Sequence, residues 1–262
     1  MSVAKVGSEK ERNLGRIIFD NLKRHNAMSK IMWDQLTETI ERFNADDEIR
    51  VVVLEGAGTK SFVSGADISK FESERANADC IKEYGISVNR AYRSVQLALK
   101  PTIAKIDGYC YGGGVGIAVC TDLRICSENS SFCIPAAKLG IGYGHENTKA
   151  LMDLVGPAFT KEIFYTGRRF SAEEAKHMRL VNSIKTQTEL DDYITGYVEV
   201  IASNAPLSVK ATNLTVNELL KTEDERDLDL CRQLVEDCGA SQDIEEGRRA
   251  FMEKRKPQFF GR

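Results

Sequence analysis

Three consecutive glycines, Gly112 to Gly114, stand between a β-branched run at residues 102–106 and a wholly apolar segment at 115–120. Without a Cβ, glycine leaves backbone amides unshielded, and a segment with no polar side predicts a helix buried all round. A helix starting there turns its free N–H groups, and the positive end of its dipole, toward whatever lies in front of Gly113. The same glycines would equally permit a close approach of helix to strand, a purely structural use. Their spacing differs from the GxGxxG of dinucleotide sites. A second glycine-containing loop, Ser-Phe-Val-Ser-Gly-Ala-Asp-Ile at 61–68, also follows an apolar stretch.

Short runs at 16–19, 51–54, 102–106, 123–126 and 132–134 are bounded by Gly, Asp or Pro and read as strands, several of them apolar throughout and so buried on both faces. Between them Met32, Leu36, Ile40 and Phe43 recur at helical spacing after a Ser29 cap, as do Tyr84, Val88, Ala91, Val95 and Leu99. Strands alternating with helices predict an α/β architecture with crossover connections. From Pro157 onward helices take over: one at 157–165, and one capped by the box of Ser171 and Glu174. After a short apolar run at 180–184, Leu190, Ile194, Tyr197 and Ile201 mark another. The tail from Leu207 is charged and helical, with Leu214, Leu219, Leu230, Leu234 and Phe251 as scattered apolar positions. Residues 1–200 read as the core and 201–262 as a helical oligomerisation segment, whose apolar stripe packs on another subunit or folds back on its own core.

Composition removes several functions. The 262 residues, 42% apolar, suffice for one sizeable core. The 36 basic and 39 acidic residues are intermixed, with a formal charge of −3, so a nucleic-acid surface is disfavoured. No apolar run approaches a membrane span, and residues 1–12 are too polar for a secretion signal, which predicts a cytoplasmic protein. Seven cysteines, an odd number, include Cys110, Cys120, Cys126 and Cys133 among apolar neighbours without CxxC spacing, and read as reduced core residues. His25, His145 and His177 show no ligand spacing, so no metal is expected.

Taken together, the two loops resemble those of the crotonase, or enoyl-CoA hydratase/isomerase, superfamily. The matching stretches run in family order: Asn26-Ala27-Met28, the loop 61–68, Lys100-Pro-Thr-Ile-Ala104, Gly108 to Gly114, Thr121-Asp122-Leu123-Arg124, residues 167–182 and the ending at 251–257. The resemblance implies a spiral of ββα turns with C-terminal helices that assemble trimers or paired trimers. It implies an acyl-CoA substrate, with coenzyme A as part of that substrate and no other cofactor. It places an oxyanion hole on the N–H groups of Ala66 and Gly113, and coenzyme A along Arg24 to Ala27 and Ala66 to Ile68, with adenine near Asp67 and Ile68. Arg24 is a candidate phosphate contact or a solvated surface arginine.

The chain also departs from that family. Its hydratases use two glutamates, and the aligned positions are Gly116 and Ala136, neither of which moves a proton. Near the expected acyl pocket, Tyr143, His145 and Glu146 are the remaining polar candidates. Tyr143 matches in register a pocket tyrosine of the methylmalonyl-CoA decarboxylase branch, where a histidine stands at the position of Ala66. His145 is a candidate acid or base, or with Glu146 a solvated start of a helix. Arg179 stands where the family closes a helix with glycine, so either a left-handed arginine or a different helix end is expected. The expected function is therefore a CoA-ester lyase or isomerase that stabilises a thioester enolate without the usual two-glutamate hydration. A decarboxylase-like lyase, a thioesterase and a non-catalytic acyl-CoA-binding subunit are the alternatives.

Overall fold

The computed structural model describes residues 4–74 and 76–262. Its strands are β1 (Lys5–Glu11), β2 (Leu14–Asp20), β3 (Val51–Gly56), β4 (Ser61–Val63), β5 (Thr102–Ile106), β6 (Tyr109–Tyr111), β7 (Leu123–Ser127), β8 (Ser131–Cys133), β9 (Phe170–Ser171) and β10 (Ser183–Lys185). Its helices are α1 (Lys30–Asn44), α2 (Phe71–Glu74), α3 (Ala78–Gln96), α4 (Gly113–Cys120), α5 (His145–Thr166), α6 (Ala172–His177), α7 (Leu190–Ser203), α8 (Pro206–Leu219), α9 (Leu228–Ala240) and α10 (Gln242–Glu253).

The expected α/β architecture is present as two sheets. One has the order β1-β2-β3-β5-β7-β10, and the other β4-β6-β8-β9. Three successive strand pairs, β3/β4, β5/β6 and β7/β8, each give their first member to the larger sheet and their second to the smaller. Repetition stacks β4, β6 and β8 in parallel, with Ser61 beside Tyr109 and Tyr109 beside Ser131. The segments that leave these strands therefore emerge side by side, and that alignment builds the site.

Apolar runs are buried on both faces because helices cover both. Along β3, Val52 and Leu54 join the main core with Met32, Trp33 and Leu36 of α1. Val51 and Val53 pack instead against Leu190, Ile194 and Val198 of α7. Helix α4 is buried from Gly114 to Cys120, as its uniformly apolar sequence requires.

Three local expectations can be checked. The capping box is complete: Glu174 N–H donates to Ser171 Oγ at 3.2 Å, and Ser171 N–H donates to Glu174 Oε2 at 2.8 Å. Arg179 does adopt the left-handed conformation, with φ 65°. Its N–H donates to the Lys176 carbonyl at 3.0 Å and that of Leu180 to the Ala175 carbonyl at 2.8 Å, a Schellman close of α6 on a residue other than glycine. The helix expected from Pro157 is the second half of α5, which begins earlier, at His145, and breaks at Gly156 (φ 75°, ψ 168°). Pro157 has no N–H to continue the first half but suits the first turn of the second.

The helical tail touches the core through Arg50, which donates to the carbonyls of Ala202 at 3.0 Å and Phe259 at 2.6 Å. Asn213 Nδ2 adds a bond to the Ala98 carbonyl at 2.9 Å. Val216, Leu219, Leu228, Val235 and Phe251 stay exposed on it. Among the described residues no helix is long and apolar enough to cross a membrane.

Candidate active site

The segments that follow β4, β6 and β8 meet at a cavity of about 430 Å³, a size suited to a small ligand. Ala66 comes from the first, Gly112 and Gly113 from the second, Pro135 and Ala136 from the third. Helix α3 closes the opposite side with Tyr84, Val88 and Tyr92, and the stretch before α5 adds Ile141 and Tyr143.

Ala66 is placed by a parallel bridge to Met28. Met28 N–H donates to the Gly65 carbonyl and Asp67 N–H to the Met28 carbonyl, both at 2.8 Å. Peptide groups alternate along an extended segment, so the N–H of Ala66 itself points away from Met28. The neighbouring chain is pinned by Asn26, fully buried and left-handed at φ 58°. Its Nδ2 donates to the carbonyls of Ala57 at 3.0 Å and Ser61 at 2.8 Å, and its Oδ1 accepts from Asn21 N–H at 3.1 Å.

Gly113 begins α4, where an N–H has no partner within the helix. Gly112 precedes it at φ 49° and ψ −112°, a conformation open in practice to glycine, and its N–H donates to the Cys133 carbonyl at 2.7 Å. At Gly114 a Cβ would lie 2.1 Å from the Val63 carbonyl oxygen, so this glycine does serve close packing. A Cβ built on Gly65 would lie 3.9 Å from Gly113 N, so the two loops are in contact. Among the described residues, neither Ala66 N–H nor Gly113 N–H has a protein acceptor. Two unpaired donors thus border one cavity.

The cavity lining is neutral. Among the described residues it contains no carboxylate, imidazole, amine or guanidinium, and its titratable groups are Tyr84, Tyr92 and Tyr143. Burial pushes the Tyr143 hydroxyl up to about 12, with Cys133 and Tyr84 adding to the shift. Burial likewise holds Tyr92 well above the ordinary tyrosine range. Both are hydrogen-bond donors near neutral pH.

Of the residues expected at the site, Ala66, Ile68, Gly113 and Tyr143 border the cavity. His145 does not: its side chain is 92% exposed, and its Nδ1 lies 3.5 Å from Glu146 Oε2 at the start of α5. Arg24 is exposed, and its carbonyl accepts from Ser64 Oγ at 3.0 Å. Ala27 is buried, its carbonyl held by Asn21 Nδ2 at 2.8 Å. The Asp67 carboxylate accepts from Ser69 N–H at 3.0 Å and Ser69 Oγ at 2.6 Å, capping a short turn at Ile68–Lys70.

Sequence reasoning missed Tyr92, although Gly116 carries a signal for it. A Cβ at Gly116 would lie 2.3 Å from the Tyr92 hydroxyl oxygen, so the ring occupies the room of a side chain at that position.

Residues 9–262 match the family model described as enoyl-CoA hydratase/isomerase. The chain belongs to the enoyl-CoA hydratase/isomerase family. It is 32% identical over 262 residues to the crotonyl-CoA hydratase of Syntrophomonas wolfei, covering 100% of each chain. Identity to the short-chain-enoyl-CoA hydratase of Clostridium acetobutylicum is 33% over 260 residues, covering 99% of each. The fold superposes with TM-score 0.92 on the crystal structure of an enoyl-CoA hydratase/carnithine racemase from Magnetospirillum magneticum. That chain is 33% identical, with 100% of this chain and 97% of the other covered.

Proposed function

We propose that the protein acts on an acyl-CoA thioester whose carbonyl oxygen sits against the N–H groups of Ala66 and Gly113. The observation that carries the reading is the pair of unpaired backbone donors at one neutral cavity. Negative charge develops on a thioester oxygen when its α-carbon becomes an enolate, and preorganised amides stabilise that charge, each worth about 3–4 kcal/mol in comparable holes. The family relationship, with relatives named for enoyl-CoA esters, supports coenzyme A as the carrier. Coenzyme A would run along residues 24–27 and 66–68, beside the Met28–Ala66 bridge. Tyr143 supplies shape and one neutral donor.

In this reading the reaction does not run through two glutamates: the resemblance aligns Gly116 and Ala136 with them, and among the described residues the lining holds no carboxylate. The same neutral lining favours a second reading, a decarboxylase-like lyase. A carboxylate bound there would exchange its hydration for apolar and neutral groups, which favours departure as CO2. The C–C bond to the carboxylate breaks, its electron pair enters the thioester enolate, and water supplies the proton at carbon. The exposed apolar residues of α8 and α9, such as Val216 and Val235, support self-association, for which the resemblance implies a trimer or a dimer of trimers, checked by sedimentation.

Mass-spectrometric analysis of products from a panel of enoyl-, malonyl-type and saturated acyl-CoA esters tests the proposal. Turnover of the enoyl or malonyl-type members is expected. No product from any ester would leave a non-catalytic acyl-CoA-binding subunit. Failure of the same esters to raise the melting temperature would remove binding as well.

A further inference from the structure

Gly112, Gly113, Gly114 and Gly116 deprive the first turn of α4 of almost every side chain. Glycine loses more conformational freedom on ordering than any other residue, so the orientation of a donor in this turn has to be imposed by its neighbours. Two aromatic residues do this. The Tyr92 hydroxyl donates to the Gly113 carbonyl at 3.3 Å. A Cβ placed on Gly113 would lie 3.4 Å from the Tyr92 hydroxyl oxygen and 3.1 Å from the Trp33 ring. Trp33 and Tyr92 meet edge to face with centroids 5.3 Å apart, and Trp33 Nε1 donates to the Tyr84 hydroxyl at 3.0 Å. All three aromatic residues are buried. Tyr84 and Tyr92 both come from α3, and Trp33 from α1, so the clamp joins the cavity wall to the donor turn.

We propose that Tyr92 is a positioning residue that fixes the Gly113 amide for the bound carbonyl oxygen. This rests on the reading of the cavity as a thioester site. Tyr92 acts by holding the turn: its ring fills the space that Gly116 leaves open, and its hydroxyl ties the first peptide of α4 to α3.

The test uses the full-length chain, Tyr92→Phe and Gly116→Ala. The two variants reach the same contact from opposite sides, because a Cβ at residue 116 has to displace the hydroxyl from its place. Infrared difference spectroscopy of bound crotonyl-CoA reads the polarisation of its thioester carbonyl, titration gives the affinity, and hydrogen exchange of the 111–118 peptide is followed in the free protein. Tyr92→Phe is expected to keep affinity within about twofold, to reduce the carbonyl red-shift, and to slow kcat on any substrate found by about tenfold. Exchange in the turn should quicken about tenfold in both variants. A purely structural role would instead change melting temperature and affinity with the red-shift preserved. Red-shift and exchange equal to wild type in Tyr92→Phe would overturn the proposal. If wild type binds no CoA ester, the thioester reading fails and exchange alone decides whether Tyr92 holds the turn. Should Gly116→Ala not fold, Tyr92→Phe decides.

Discussion

The two loops that border the cavity present the same chemical group by opposite means. The loop after β4 is extended and fastened by polar bonds, most of them to residues 24–28: the backbone bridge to Met28, the Asn26 amide, and Ser64 on the Arg24 carbonyl, with Asp67 on Ser69 inside the loop. The loop after β6 is a helix start with almost no side chains, shaped by contacts from elsewhere: Val63, Trp33 and Tyr92. Both loops are held across long stretches of chain, but a polar fastening leaves its own polar side chains, Asn26, Ser64 and Asp67, to be read as motifs. A glycine turn is fixed by residues that lie 20 or more positions away, and its sequence shows only what has been left out.

The comparison breaks most severely if a donor itself is removed. Gly113→Pro should reduce turnover by about 10²–10³-fold, the effect of losing one donor from such a hole. Circular dichroism matching wild type would separate that loss from unfolding. In the other loop, Asn26→Ala leaves the Ala57 and Ser61 carbonyls and the Asn21 amide without their partner. It should destabilise the protein by about 2–4 kcal/mol in urea denaturation, since an abandoned buried group costs about 1–3 kcal/mol and of the three bonds only the one to Ser61 is fully buried. A smaller value would mean that the first loop relies less on its polar ties than the contrast requires.

Tyr143 tests the neutral character that both loops share. Its ionisation lies near 12 in the folded chain against an ordinary value of 10. The folded state therefore keeps a proton that the unfolded state releases first, so the stability it contributes is complete below pH 10 and declines between about 10 and 12. Tyr143→Phe should flatten that alkaline decline and lower turnover by about tenfold or less, while His145→Ala leaves both unchanged. The smallest expected effect is a control on backbone strain outside either loop. Arg179→Gly should stabilise by about 1 kcal/mol, raising the melting temperature by about 2–4 °C.

Much of the fold was legible because burial on both faces leaves a simple mark: β3, β5, β7 and β8 each carry an apolar run, and the Ser171–Glu174 box announces α6. Strand β1 left no such mark, because it is an edge strand with mostly exposed residues, Lys-Val-Gly-Ser-Glu-Lys-Glu, and buries little of anything. The start of α5 was legible as a solvated helix start at His145 and Glu146, whereas its continuation across the break at Gly156 into the helix from Pro157 left no mark in the sequence. At the site, Ala66, Gly113 and Tyr143 came from motif and register, and the structure gathers all three at one cavity. Tyr92 stayed invisible because its role depends on the crossing of α3 over α4, a long-range packing relation. The stripe Tyr84, Val88, Ala91 and Val95 described α3 well enough as a buried helix to ask nothing more of its neighbours.

The stacking of β4, β6 and β8 has a consequence for how such a chain can change over time. A codon change alters a side chain, whereas a main-chain N–H survives every substitution except proline. Ala66 and Gly113 present their amides from the ends of stacked strands, beyond the reach of most mutations. Positions such as 116, 136 and 143 hold the replaceable parts. Side chains at 136 and 143 can therefore be exchanged while the pair of donors persists, whereas a side chain at 116 requires Tyr92 to change with it.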